Sequence, residues 1–252
     1  MKVFVIIPAA GLGTRMAPPS TAPSKEKPKK KTPSKQFKDL GGVPILIHTL
    51  RKFAAVPAIQ EIIVALRPDE IAGFRAQLET QYPEFLTKRL HIVEGGEHRQ
   101  DSVASALAHT AADPDDIVLV HDAVRPLVTP EIIARVIEAA HKHGAAIAGW
   151  PAVDTIKQVE RTAEGALIKA TIPRASVVMA QTPQGFRYSI LKKVFAAAVS
   201  DGFLGTDEAS LIERAGLPVV VVMGSPRNIK ITTPADMELA EFYLKHESGI
   251  KS

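Results

Sequence analysis

The chain has 252 residues, 46% of them hydrophobic, with 31 Lys+Arg against 27 Asp+Glu and no cysteine. That length and apolar content can bury one large core or two small ones, while the missing cysteine excludes disulfides, Cys-ligated zinc and a thiol nucleophile and fits a reducing cytoplasm. The net charge is only +4, with positive residues concentrated at Lys25, Lys27, Lys29, Lys30 and Lys31, which argues against a broad nucleic-acid-binding face.

Val3–Ile7 is an apolar run of strand type. It is shorter than the roughly 7–15 residues of a signal-peptide core, and no run approaches the ~20 residues that cross a bilayer. A soluble chain with no membrane partner is expected. "PAAGLGTRM" follows at once. The small residues Ala9, Ala10, Gly11 and Gly13 let backbone N–H groups approach an anion or a base edge. A dinucleotide fingerprint would need a helix to open here, and a Walker loop would need a lysine after Gly13; neither pattern is met. An ordinary glycine-rich turn stays open as an alternative. Arg15 and Lys35 bracket the stretch with cations suited to a triphosphate and its leaving pyrophosphate. Between them, Ala17–Ser34 holds five of the nineteen prolines together with the lysine cluster, so a flexible insertion without regular structure is expected.

Beyond the insertion, helices are expected at Pro44–Ala54, Asp69–Gln81, Asp101–Thr110, Pro130–His143, Ser189–Ser200, Asp207–Ala215 and Pro234–His246. Strands are expected at Glu61–Leu66, Leu90–Val93, Ile117–Val120, Ala145–Trp150 and Val219–Val222. Short strands apolar on both faces and alternating with helices predict an α/β, doubly wound, mostly parallel sheet in a single domain, 1–252, binding ligands beyond the carboxyl ends of its strands. Residues 153–180 break the rhythm: "DTIKQVE", a turn at "TAEG" and "ALIKATIPR" predict a projecting β-hairpin arm. A two-stranded arm is marginal alone, which points to a homodimer formed through it.

Three further segments carry polar chemistry. "VEGGEHRQDSV" leads from strand to helix with Gly95 and Gly96, where Arg99, Asp101 and Ser102 can cap, pair or hydrogen-bond. "VLVHDAVRP" ends a strand with Asp122, placed to meet Mg²⁺ beside a polyphosphate or to pair with Arg125 in a structural turn; His121 reads as a packed strand-end histidine. "GTDEASL" offers Thr206 as a helix cap.

"PAAGLGTRM", with "SKQF" closing the loop, resembles the signature of the 2-C-methyl-D-erythritol 4-phosphate cytidylyltransferases of the non-mevalonate isoprenoid pathway. The likeness runs from Val3 to Leu244 and departs at the insertion, where eighteen residues separate Met16 from Lys35. The resemblance implies a nucleotidyltransferase of Rossmann-like fold that takes CTP, a polyol phosphate and Mg²⁺. It implies catalytic roles for Arg15, Lys35, Arg174 and Lys230. It also implies nucleotide contacts at Ala9, Ala10, Gly11, Gly13, Gly95, Gly96, Glu97, Ser102 and Ala123, with Glu97 standing where many relatives carry aspartate. Acceptor contacts are implied at Asp122, Thr155, Arg174, Thr182, Thr206 and Lys230, with Asp122 also in the metal region and with Thr155 and Arg174 reaching in from a neighbouring chain. Lys230 is expected on a short strand. The competing readings are a ribitol-5-phosphate cytidylyltransferase, a guanylyl- or uridylyltransferase, a non-catalytic nucleotide sensor, and a nucleic-acid-binding module built on the lysine cluster.

Overall fold

A computed structural model describes residues 1–11, 34–87, 89–163 and 165–247. Gly13, Arg15 and all of the expected insertion except Ser34 lie outside the described residues. Eleven strands are assigned there: β1 (Val3–Pro8), β2 (Asp39–Leu40), β3 (Val43–Pro44), β4 (Ile59–Leu66), β5 (Leu90–Glu94), β6 (Ile117–Val120), β7 (Ala145–Pro151), β8 (Ile156–Thr162), β9 (Gly165–Ile172), β10 (Val178–Arg187) and β11 (Val220–Met223). The α-helices are α1 (Ile45–Ala54), α2 (Pro68–Gln81), α3 (Arg99–Ala108), α4 (Pro130–His143), α5 (Tyr188–Ser200), α6 (Glu208–Arg214) and α7 (Pro234–Glu247).

Seven strands form the central sheet in the order β11-β7-β10-β6-β1-β4-β5. All its pairings are parallel except those of β10, which runs antiparallel to both β6 and β7. Alternation along the strands sends side chains to both faces. Val5 and Ile7 of β1 pack with Leu50 and Phe53 of α1 and with Val136 of α4. Phe4 and Ile6 meet Val103 of α3 and Leu191 and Phe195 of α5 on the other face. Each such fully buried side chain contributes roughly 1.5–3 kcal/mol, so two covered faces account for strands that are apolar throughout. A third cluster, with Leu40, Ile45, Val124, Leu127, Ile231 and Ala240, ties the β2–β3 hairpin and α7 to the loop after β6. No helix among the described residues is long and apolar enough to cross a membrane.

Strand β10 was not expected, and its sequence explains why. Pro183 and Gly185 discourage a strand assignment, and beside the core residue Phe186 its buried stretch carries the polar Gln181, Thr182 and Gln184. The register shifts between Ala180 and Gln184, which accommodates the proline. Gly185 is required by close packing, because a Cβ there would lie 2.8 Å from Val136 and 3.1 Å from Ala140 of α4. The expected arm is correspondingly shorter. Its hairpin is β8–β9, paired from Ile156↔Ile172 to Thr162↔Gly165, whereas Val178–Ala180 already pair with β7. Lys230 is not on a strand; it lies in the irregular connection between β11 and α7.

Candidate active site

Because β7 and β6 both run antiparallel to β10, the parallel strands of the sheet point the same way. Their carboxyl ends therefore share one edge, and four connections converge there. The first leaves β1. Ala9 N donates to Ala65 O at 2.8 Å, and Ala9 and Ala10 are buried while Gly11 is exposed. Lys35 opens a 3₁₀ turn, Lys35–Phe37, whose buried Gln36 donates its amide to Ala9 O and to Glu70 Oε2. The return of the chain is thus pinned to the start of the glycine-rich loop.

The second connection, from β5 to α3, packs directly on the first. A Cβ on Gly95 would lie 2.6 Å from the Ala10 Cβ and 2.9 Å from Ser102 Oγ. Only glycine permits that approach. Gly95 N donates to Leu66 O at 2.7 Å. Ser102 Oγ accepts from Gly96 N and donates to His98 O, both at 3.1 Å, so a hydroxyl of α3 closes the loop that precedes the helix.

The third connection carries His121 and Asp122. His121 is fully buried, with its ring 4.7 Å from that of Phe53, and burial pulls its pKa down to about 3. The Arg125 carbonyl, 3.1 Å from Nε2, can only accept. In the neutral ring Nε2 is therefore the donor and Nδ1 accepts from Thr182 Oγ1 at 3.0 Å. The Thr182 oxygen in turn accepts from Asp122 N at 3.1 Å. Thr49 of α1 holds the next peptide by donating to Ala123 O at 2.9 Å. Asp122 is fixed from below by neutral hydrogen bonds, and His121 acts as a strut.

Around the Asp122 carboxylate stand three cations. Lys230 Nζ is 2.9 Å from Oδ2, Arg99 Nε is 3.2 Å from Oδ1, and Arg125 Nε is 3.4 Å from Oδ2. Burial pushes the Asp122 carboxyl upward, but Arg99, Lys230 and Arg125 together hold it well below the usual carboxylate range. Asp122 is an anion at any working pH. Its partners Arg99 and Lys230 join it in lining a pocket of about 200 Å³ with Pro8, Ala9, Ala10, Gly11, Lys35, Gly96, Glu97, Ser102 and Ala123. A larger concavity of about 870 Å³ lies against the end strand β5, lined by Ile71, Leu78, Phe85 and His91 among others, and none of the residues singled out in the sequence faces it.

The fourth connection brings Lys230 to this edge. Asn228 is fully buried; its side-chain amide donates to Thr182 O at 2.9 Å and its backbone carbonyl accepts from Arg125 at 2.7 Å. On the other side of Lys230, Ile231 N donates to Val124 O at 2.9 Å. The lysine is bracketed by two anchors.

Of the expected site residues, Ala9, Ala10, Gly11, Lys35, Gly96, Glu97, Ser102, Asp122, Ala123 and Lys230 share the pocket, with Gly95 at the seam between its loops. Thr182 lies beneath Asp122 rather than on the surface. Thr155 and Arg174 are exposed at the arm, where Arg174 donates to Val153 O at 2.7 Å, and they do not line the pocket of their own chain. Thr206 is exposed and is not the cap of α6; Asp207 is, accepting from Ser210 N at 3.0 Å. Gln36, Asn228 and Glu208 carry no role that a local pattern marks, because each is defined by a partner distant along the chain.

Comparison with known proteins follows the same lines. The sequence profile for IspD, 2-C-methyl-D-erythritol 4-phosphate cytidylyltransferase, matches residues 3–246. A protein of that name from Acidobacterium capsulatum is 60% identical over 249 residues, 99% of this chain and 100% of its own length. One from Solibacter usitatus is 48% identical over 99% of this chain and 98% of its own. Among solved structures, the Francisella tularensis 2-C-methyl-D-erythritol 4-phosphate cytidylyltransferase superposes with a TM-score of 0.76 at 32% identity, covering 96% of this chain and 99% of that one.

Proposed function

The chain belongs to the 2-C-methyl-D-erythritol 4-phosphate cytidylyltransferase family, and we propose from this that it transfers CMP from CTP to 2-C-methyl-D-erythritol 4-phosphate. The products are 4-diphosphocytidyl-2-C-methyl-D-erythritol and pyrophosphate. The observation that carries this reading is the meeting of Lys35, Asp122 and Lys230 at one pocket floored by Ala9, Ala10 and Gly11.

The acceptor's phosphate oxygen is already ionised at neutral pH, so it attacks the α-phosphorus without a general base. A bond forms between that oxygen and the α-phosphorus as the bond from the α-phosphorus to the bridging oxygen breaks. The electron pair leaves with pyrophosphate. The difficulty is electrostatic: two unit charges 4 Å apart repel by about 4 kcal/mol at an effective dielectric near 20, and both reactants carry more than one. Fixed cations and orientation are therefore what the protein must supply. In this reading Lys35 and Arg15 neutralise the triphosphate and its leaving group, and Lys230, steadied by Asp122, faces both reactants. The small residues of the first two connections leave room for the base and ribose.

Among the described residues no group of three His, Cys, Asp or Glu could hold a metal ion, and Asp122 is the buried carboxylate on the pocket wall. A wall with only Asp122 and the exposed Glu97 as carboxylates fits Mg²⁺, which keeps several waters and takes substrate phosphates as ligands. We assign Mg²⁺ as the cofactor on that ground, with Asp122 as the residue that would hold it. When bound, it would supply positive charge that offsets the repulsion between the two anionic reactants.

The acceptor side calls for a second copy of the chain. The β8–β9 hairpin exposes Val159, Leu167 and Ile168, the last 65% accessible, and among the described residues it pairs with no other strand. Docking that hairpin on a second subunit covers these side chains and carries Thr155 and Arg174 to the partner's pocket. We place this homodimer in the cytoplasm, where a chain without cysteine is at home. The test is to incubate the protein with CTP, Mg²⁺ and a panel of polyol phosphates that includes ribitol 5-phosphate. Pyrophosphate release and a cytidine product formed with methylerythritol phosphate are expected. A product with ribitol phosphate alone, or no turnover, would reject the assignment.

A further inference from the structure

Glu208 is the first residue of α6 and is only 2% exposed. A carboxylate withdrawn from water is costly unless it is paired. Helix capping does not explain this one, since Asp207 performs it. Both oxygens of Glu208 instead take Arg99 Nη1, at 2.7 and 2.9 Å, while Arg99 Nε reaches Asp122. The segment around Glu208 is held firmly. Gln100 accepts from Gly205 N at 2.8 Å and donates to Phe203 O at 2.9 Å. Gln184 accepts from Ala209 N at 3.1 Å and donates to Asp207 at 2.7 Å.

We infer that Glu208 is a positioning residue for the transfer reaction, acting through Arg99 and Asp122 to keep Lys230 in place. The inference rests on the cytidylyltransferase reading above. Its logic is a competition for one anion. With Glu208 ionised, Arg99 is shared between two carboxylates, and Asp122 Oδ2 is left to Lys230 and Arg125. With that charge removed, three cations contend for Asp122 alone. Arg125 is also tied to Asn228 O, and Lys230 stands on an irregular connection with its side chain 35% exposed. Lys230 is the cation that yields.

The experiment measures CMP transfer at saturating CTP, Mg²⁺ and methylerythritol phosphate, with thermal melting to establish the folded fraction. Absence of product from the unaltered protein would defeat the function itself; the remaining outcomes bear on Glu208. Glu208→Gln keeps the shape and a hydrogen bond to Arg99, and kcat is expected to fall about tenfold. Glu208→Asp keeps the charge and is expected to be at least about threefold faster than Glu208→Gln. On a Lys230→Ala background Glu208→Gln should change the residual rate by less than about twofold, since coupled residues do not add. Full activity in Glu208→Gln, equal slowness of the Asp and Gln variants, or a second tenfold loss on the Lys230→Ala background would overturn the inference.

Discussion

Lys230 Nζ lies 2.9 Å from Asp122 Oδ2, although one residue follows β11 at one end of the sheet and the other follows β6 at its middle. The contact sets a flexible ammonium at a defined point on the pocket rim. Lys35 enters the same rim from the opposite side of the sequence. Replacing either lysine by alanine should lower kcat about 10²-fold, the scale for removing a group that meets charge developing in the transition state. Steady-state pyrophosphate release gives the answer, and unchanged turnover in both variants would discard the roles assigned to them.

Gly95 tests the nucleotide side of the pocket. An added methyl would lie 2.6 Å from the Ala10 Cβ, so the first two connections would have to part. Overpacking of this kind costs typically ~1–3 kcal/mol. Gly95→Ala should therefore raise the CTP dissociation constant about tenfold, as read by calorimetric titration. Binding at full strength would show that the seam between these loops is not part of the nucleotide site.

The arm makes a prediction about pairs of chains. Arg174→Ala should raise the acceptor KM about tenfold or more, the loss of a charged hydrogen bond, with CTP binding unchanged. Mixing and reassembling Arg174→Ala chains with Lys230→Ala chains should then restore turnover. Random pairing leaves roughly a quarter of the sites with both residues intact in a twofold dimer. If the mixture is no faster than its two components, Arg174 does not serve a neighbouring chain's pocket.

Acid should weaken the fold through His121. Burial holds its folded pKa at about 3, against about 6.5 in an unfolded chain. Between those values the unfolded state binds a proton that the folded state refuses, so stability falls as pH drops from about 6.5 toward 3. Asp122, with its depressed folded pKa, adds to the loss below about pH 4. His121→Gln should flatten the dependence of the melting temperature on pH between about 6.5 and 4. An equally steep profile in the variant would locate the titrating group elsewhere.

Much of the architecture was legible along the chain because it depends on local rules. Apolar runs such as Val3–Ile7 and Ile117–Val120 are strands since both faces of the sheet are covered. Pro130 and Gly144 bound α4 because each residue's backbone suits that end of a helix. The pocket loops were visible too, since close approach of backbone demands small residues at Ala9, Ala10, Gly95 and Gly96. Strand β10 was hidden, because its buried stretch includes Gln181, Thr182 and Gln184, whose burial becomes favourable only when Gln181 meets Ser225 and Gln184 meets Asp207.

What the linear order of residues determines, then, is the alternation of strands and helices and the places where backbone stays bare. Which charges neutralise which was decided only on folding. Asp122 holds Lys230, Glu208 grips Arg99 and Asn228 locks Thr182, and in every case the partners are distant along the chain. A hydrogen bond or ion pair depends on distance in space, and those distances exist only once the strands have been laid side by side.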